Sequence, residues 1–518
     1  MIRLIPTLLL LLARGALQAA PPELTAIFPS GGAAGALVET TLSGTFPSWP
    51  VSIWTSHPDI QAEAGSKGQL KIRVKDNAPF GPRLVRVYSK EGVSAVRPFW
   101  VGNLREVMEA EPNDHFEKAM KLASTPLVVN GKLANPGDAD SFAIQVKQGQ
   151  TLVARLQANL GLDSPMDAVL QILSPEGFVV AENHDRHGLD PLVFFTANKA
   201  GDFRLRLFAF PSNPDSSIRL AGAENFIYRL TVTTGPFLDH AFPMAARVNE
   251  TQVFHPQGWN FLKGVSYSVK SPSGNDSWFL TQPGVAGWQK IATVSHQALV
   301  DTGEKSPTLS APVSLSGVLL KAPRQFKLEG KKGEKYFLQI EARTRGSQLD
   351  PVLILKDALG KEIRRVDDSG ASADPNLEWT STGDPAFLEI ADLHRQTGPG
   401  YYYQLSFTPV APEFSLTLEA DLFISAGGKE VEAPVKVTRS GGHAGPIQIA
   451  AMLPSGWTSQ PVTHLPKDGA IVKIKIKPQG NAAPGSFTLL GESAGVKFQV
   501  EKSFSAFDAT LRQFWISQ

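Results

Sequence analysis

Residues 109 to 114 read Glu-Ala-Glu-Pro-Asn-Asp, and Gly137-Asp138-Ala139-Asp140-Ser141-Phe142 follows at the mouth of an alternating apolar run. Carboxylates and a carboxamide are hard oxygen donors, the ligand type that Ca²⁺ selects. In extended chain, Asp138 and Asp140 emerge on one side with backbones about 7 Å apart, close enough to share a cation. Glu109, Glu111, Asn113 and Asp114 can supply further oxygens from the preceding loop. Asp and Asn are also favoured turn residues, so two solvated acidic turns are the alternative.

The elements that must position these groups are strands. Glycine (45) and proline (39) punctuate short Val, Ile, Leu and Phe runs, and long helical periods are few. That pattern describes an all-β chain turning every ten or so residues. A length of 518 residues exceeds what one core organises, and ~100 residues per sandwich implies about five domains. The expected fold is a tandem array of jelly-roll-like and immunoglobulin-like β-sandwiches, elongated, with linkers near 102 to 108, 235 and 410.

Met1-Ile2-Arg3, the apolar run Leu8 to Leu12 and the small residues Ala16 to Ala20 make residues 1–20 an expected signal peptide. Export to the periplasm, cell surface or medium follows, with no membrane span after the leader is removed. A formal net charge of +1 with interspersed signs leaves no footprint for nucleic acid. Zero cysteines remove disulfides, thiolate catalysis and Cys-ligated metals together.

With Glu109 to Asp114, Asp138 and Asp140 in view, residues 104–235 resemble the bacterial pre-peptidase C-terminal (PPC) domain, a secreted β-sandwich appended to exported proteases and other surface proteins. Gly201 to Leu207 is similar to that family's closing glycine-aromatic strand, and Phe226 to Val232 to its last strand. The resemblance implies Ca²⁺ ligated by Glu, Asn and Asp positions, here Glu111, Asn113, Asp138 and Asp140; with Asp114 of the same loop these are the expected metal ligands. Residues 23–101, with Pro29-Ser30-Gly31-Gly32, then Gly35, and alternating Leu70, Ile72 and Val74, resemble a TIG-type immunoglobulin-like domain whose early glycines make a turn.

An internal repeat is legible. Met166-Asp167-Ala168-Val169-Leu170, the Gly177 turn and Asp190-Pro191-Leu192 are echoed by Leu349-Asp350-Pro351-Val352-Leu353, the Gly360 turn and Asp374-Pro375-Asn376-Leu377. Residues 308–409 are therefore read as a second, diverged PPC-like copy. There Ala322-Pro323-Arg324 precedes Phe326, and Arg324 would repel a cation. Residues 236–307 resemble a degenerate TIG-like domain. Residues 411–518, with Val472, Ile474 and Ile476 inward and lysines between them, resemble the adhesion-type immunoglobulin-like modules of bacterial surface proteins.

No catalytic constellation is evident, so the protein is expected not to be an enzyme. His184-Asp185-Arg186-His187 is expected to be a polar loop, Asp367 and Asp368 point apart, and Trp259, Trp278 and Trp288 are expected in cores rather than on a sugar-stacking platform. Phe504, Phe507, Leu511, Phe514 and Trp515 recur at helical spacing, fitting a helix that docks a partner or packs on the preceding sandwich. The expected task is binding or presenting an extracellular protein or polysaccharide. The alternative is an accessory component that targets a secreted protease or glycoside hydrolase; an enzyme with an unfamiliar site is a third class.

Overall fold

The computed structural model describes residues 20–213, 219–274, 276–370, 372–480, 482–507 and 509–517. The expected signal peptide therefore falls, but for Ala20, outside the described residues. Strands dominate, arranged as successive pairs of packed sheets, an all-β tandem of sandwiches. Alternation produces them: Gln69–Val74 buries every second residue, and Ile471–Pro478 turns Lys473, Lys475 and Lys477 outward while Ile474 and Ile476 are buried. Among the described residues no helix is long and apolar enough to cross a membrane.

The first sandwich packs Glu23–Phe28, Leu37–Thr45, Gln69–Val74 and Ile60–Ala64 against Gly31–Ala33, Arg97–Gly102, Gly81–Ser89 and Ser52–Thr55. A ten-stranded sandwich follows. One sheet runs in the order Arg105–Met108, Leu127–Lys132, Ile227–Thr233, Thr151–Gln157, Leu192–Thr196; the other runs Met120–Lys121, Asp140–Val146, Gly201–Pro211, Met166–Leu173, Val179–Asn183. Both sheets begin with a parallel pair, and Phe142, Leu170, Leu207 and Tyr228 fill the core between them.

The same order returns downstream. Gln297–Val300, Val313–Val318, Tyr402–Pro409, Lys335–Glu341 and Asn376–Thr380 face Thr308–Ser310, Arg324–Glu329, Ala386–Asp392, Pro351–Lys356 and Glu362–Val366, again with parallel first pairs. Gln297–Val300, placed above with residues 236–307, hydrogen-bonds to Val313–Val318 and so belongs to this second ten-stranded unit. Asp190 and Asp374, matched above by spacing, act alike. Asp190 accepts the backbone N–H groups of Ala158, Asn159 and Leu160; Asp374 accepts those of Ala342, Arg343 and Thr344. Each carboxylate closes the turn that leaves the strand before it.

The intervening sandwich repeats the first in its opening strands. Glu23–Phe28 pairs with Leu37–Thr45, and Phe237–Phe242 with Thr251–Trp259, both antiparallel and both irregular after the second residue. Gly44 and Gly258 lie at positive φ (140° and 147°), and a Cβ on either would fall 2.1 Å from the carbonyl oxygen of Glu23 or Phe237. Of the early glycines expected to make a turn, Gly35 does so at φ 83°, whereas Gly31 and Gly32 sit in a strand. A Cβ on Gly31 would overlap the guanidinium of Arg229 from the neighbouring sandwich, so that glycine serves a seam between domains.

Those seams correct the expected elongated arrangement, because the first sandwich meets the last. Arg86, 1 % exposed, donates to Asp421 at 2.8 Å and lies over the rings of Trp54 and Trp515. Lys502 donates to the other Asp421 oxygen at 2.7 Å, and Arg512 pairs with Asp276 of the third sandwich. The docking helix is also corrected. Lys502–Phe504, Ala509–Leu511 and Phe514–Ser517 are strands around one short 3₁₀ turn, with Leu511 packed against Leu84 and Val96 of the first domain. The aromatic spacing coincided with a helical period, and strand pairing to Gly485–Ser493 decided the conformation.

Of the three tryptophans, Trp278 packs with Phe254 inside its own sandwich. Trp259 lies against Phe194 of the ten-stranded unit, and Trp288 stacks on Trp100 of the first sandwich at 5.7 Å. Two of the three therefore fill seams rather than single cores. The expected polar loop at residues 184–187 also divides. His184 is exposed, whereas His187 and Arg186 turn toward Gly346 and Asp239 of the following units. Burial, more than the neighbouring arginine charge, holds the His187 imidazole down to about 3.

Asp421→Ala should leave the Arg86 guanidinium buried without its counter-charge and cost about 3–5 kcal/mol. Denaturant unfolding should show a lowered first transition, and small-angle scattering a larger radius of gyration. An unchanged radius and midpoint would show that this contact does not hold the two ends together.

Candidate metal centre

The site lies where the linker strand Arg105–Met108 enters the first ten-stranded unit. The Leu127–Lys132 and Asp140–Val146 strands bring the two acidic clusters together, since Glu109 N–H donates to the Asn130 carbonyl and Ser141 N–H to the Asn113 carbonyl. Carboxylate oxygens of Glu111, Asp114 and Asp138 come within 4.8 Å of one another. This cluster could hold a metal ion. Asn113 is fully buried, and neither side-chain atom has a hydrogen-bond partner. Asp138 Oδ2 accepts the Ala134 N–H at 2.6 Å, while its Oδ1 is buried and unpartnered.

Asp140 lies deeper, at 0 % exposure. Its Oδ2 accepts the Tyr228 hydroxyl at 2.5 Å, and its Oδ1 is unpartnered. Glu109 Oε2 stands 2.7 Å from the same hydroxyl, and its Oε1 accepts the Lys132 N–H. Among the described residues, no basic side chain forms an ion pair with any of these carboxylates. Burial first, and then the negative charge of Glu109, push the Asp140 carboxyl up to about 10. Burial likewise raises Glu109, Glu111 and Asp138 above the ordinary carboxylate range. Carboxyls displaced in this direction, with unpartnered oxygens between them, favour a cation that would replace protons.

Tyr228 is the participant that residue types alone did not single out. It lies opposite Gly131 in the sheet register, where a Cβ would fall 2.2 Å from both the Tyr228 hydroxyl and Glu109 Oε2. The available signal was its recurrence in the last strand of each copy. Tyr403 lies opposite Gly317, with the same close approach of hydroxyl to glycine.

The second copy solves the charge problem differently. Arg324, at the strand entrance where the first copy has Asp140, donates to both oxygens of Asp301 at 2.7 Å. Tyr403 adds a hydroxyl contact to Asp301 at 3.3 Å. The Asp301 hydrogen bonds, ahead of the Coulombic attraction, raise the Arg324 guanidinium further above its usual range. A guanidinium belonging to the chain thus stands over a buried carboxylate beneath the tyrosine.

Serine–histidine contacts elsewhere lack the third member that general-base catalysis uses. His443 Nε2 lies 3.1 Å from Ser493 Oγ, but its Nδ1 faces the Arg439 guanidinium at 2.6 Å. That nitrogen must accept, so Nε2 carries the proton and cannot take one from the serine. His296–Ser314 and His57–Ser56 likewise have no carboxylate hydrogen-bonded to the far imidazole nitrogen among the described residues.

No protein-family model matches this chain, and no curated protein matches it. Among solved structures, a tetra-tandem repeat from the extending region of a large adhesion protein aligns over 96% of this chain and 99% of that one, at 8% identity and TM-score 0.15. The N-terminal four Ig domains of Dscam1 isoform 6.44 align over 93% and 99%, at 11% identity and TM-score 0.19. Bacteroides ovatus SGBP-B, from a mixed-linkage glucan utilization locus and in complex with a mixed-linkage heptasaccharide, aligns over 75% and 100%, at 10% identity and TM-score 0.13. At these scores the superpositions carry no argument about site or ligand.

Ca²⁺ titrated into the full chain should raise the melting midpoint, by several degrees for the transition it controls at a hundredfold excess over Kd, about 2.7 kcal/mol. Asp138→Ala/Asp140→Ala should abolish the shift, and no residual response should come from the second copy. A shift that survives the double substitution, or an absence of binding heat in the parent protein, would show the carboxylates to be turn residues only.

Proposed function

We propose that this chain is an exported, non-catalytic protein of tandem β-sandwiches that binds or presents a protein or polysaccharide at or outside the bacterial cell envelope. In this proposal the two ten-stranded units are PPC-like domains, and Ca²⁺ stabilises the first of them through Glu111, Asn113, Asp114, Asp138 and Asp140. One observation carries the ion assignment. The buried Asn113 carboxamide and one oxygen each of Asp138 and Asp140 have no partner beside a cluster of carboxylates. Leaving such groups unpaired costs about 1–3 kcal/mol each, more when charged, and a hard cation would satisfy unpartnered oxygens among them. All the donors are oxygens, and the chain has no cysteine, which suits Ca²⁺ rather than Zn²⁺.

A non-catalytic role is supported by how the titratable groups are used. Asp190 and Asp374 close turns, Arg86 ties the first and last sandwiches together through Asp421, Arg229 pairs with Glu106 within its own sheet, and the serine–histidine contacts are not poised for proton transfer. Rigid seams between sandwiches suit display of a binding surface.

The test is a binding screen of the purified chain against immobilised envelope polysaccharides and fibrous proteins, in Ca²⁺ and in EGTA. Retention on one ligand class, without turnover of peptide, ester or glycoside substrates, is the expected result. Robust turnover abolished by one point substitution would overturn the non-catalytic assignment.

A further inference from the structure

The entrance loop that carries the acidic residues in the first ten-stranded unit has the opposite charge in the second. Gly137-Asp138-Ala139-Asp140 corresponds to Lys321-Ala322-Pro323-Arg324, each segment leading to the core phenylalanine, Phe142 or Phe326. Arg324 is consumed by Asp301, but Lys321 is not. It lines a cavity of about 440 Å³ on the outer face of the sheet, together with Arg365 and Arg395. Val352 and Ile354 supply an apolar lining, and Gln396 adds a carboxamide to the rim. That volume falls within the range of small-ligand sites, about 300–1,000 Å³.

Two features make this a built site rather than a patch of surface cations. First, its two loops are fixed to each other: Gly398 N–H donates to the Leu319 carbonyl at 2.7 Å, and Leu319 N–H to that of Tyr401 at 2.9 Å. The loop bearing Arg395 is also wound around Asp392, whose carboxylate accepts the N–H groups of Asp350, His394 and Gln396. Arg395 itself is held at φ 59°, a conformation that non-glycine residues adopt at a cost. Second, the acidic groups of the cavity are occupied. Asp392 holds that loop, and Glu389 pairs with Lys356 at 2.7 Å. Lys321 and Arg395 have no carboxylate partner among the described residues, and Arg365 has only the exposed Glu362 at 3.4 Å.

We propose that this cavity binds a carboxylate-bearing sugar unit of an acidic polysaccharide, with Lys321, Arg365 and Arg395 around the carboxylate. Arginine and lysine on a preformed rim recognise a planar anion, and the fixed loops spare the ordering entropy of closing around it. Leu393, 47% exposed at the cavity, offers a surface for the C–H face of a sugar ring, while Gln396 and Thr397 can exchange hydrogen bonds with hydroxyls. This assignment rests on the proposed ligand-binding role and names the ligand class for a site distinct from the acidic centre.

The experiment is calorimetric titration of the full chain with a tetragalacturonate, and with the same oligosaccharide methyl-esterified at every carboxyl. The acid should bind, weakening as salt is raised, and the ester should bind at least tenfold more weakly. Lys321→Glu/Arg395→Glu should reduce affinity for the acid at least tenfold without moving the melting midpoint, because both side chains are exposed. Lys67→Glu/Lys199→Glu, which alters net charge equally at a distance, should leave affinity unchanged. Absence of acid binding, equal binding of acid and ester, or equal loss in both double variants would overturn the assignment. Capture of a neutral polysaccharide or a protein in the broader screen would sustain the general binding role while sinking this one.

Discussion

A carboxylate buried beneath a tyrosine hydroxyl is the constraint around which both ten-stranded units are organised. Desolvation penalises the charge heavily, so the carboxyl either takes up a proton or is given positive charge within a few ångströms. In the second unit the chain itself supplies it, with the Arg324 guanidinium on both oxygens of Asp301 and Tyr403 alongside. In the first unit Asp140 stands at the corresponding strand entrance, and Glu109, Asp140 and Tyr228 share hydrogen bonds without a basic side chain. One repeated geometry thus has two charge states, one neutralised by a guanidinium and one whose carboxyls take up a proton beside a cluster that could hold a metal ion. Gly131 and Gly317 permit both, because a Cβ at either position would collide with the tyrosine hydroxyl.

Buried guanidinium groups solve a related problem between domains. A cysteine-free chain of small sandwiches has only burial and charge pairing to restrain its linkers. Arg229 projects to the seam beside Gly31 of the first sandwich, and Glu106 of its own sheet accepts from it with both oxygens at 2.8 Å, fixing the guanidinium there. Arg86 pairs across the two ends, over the rings of Trp54 and Trp515, with one oxygen of Asp421 as its partner. Such pairs add little net stability over an apolar substitute, but breaking one partner leaves a charge stranded.

Charge also distinguishes the outer surfaces of the two copies. The entrance loop of the first gathers Asp138 against Glu111 and Asp114; that of the second places Lys321 beside Arg365 and Arg395 around a cavity. Duplication of a β-sandwich preserves its strand order because the alternating core must stay filled, whereas its loops are free to change sign. The core retained Phe142 as Phe326 and Tyr228 as Tyr403, while the loops between them diverged.

Period-two alternation and turn residues determined the all-β class and the duplicated strand pattern, since both arise within a few residues of chain and need no distant partner. The pairing of Asp167 to Asp190 with Asp350 to Asp374 was legible for the same reason, and so was the substitution of Arg324 near a lost acidic position. The five proposed ligands were named from their types, and tertiary structure sorted them: Glu111, Asp114 and Asp138 form the mouth, while Asp140 turns inward to Tyr228. Only tertiary structure decided that Gly31 makes room for Arg229, that Trp288 stacks on Trp100, and that the aromatic C-terminal segment pairs as strands. It also placed Gln297–Val300 in the later unit and brought Arg86 to Asp421. Each of these depends on contacts between segments far apart in the chain, and local periodicity carries no information about which distant surface will desolvate it.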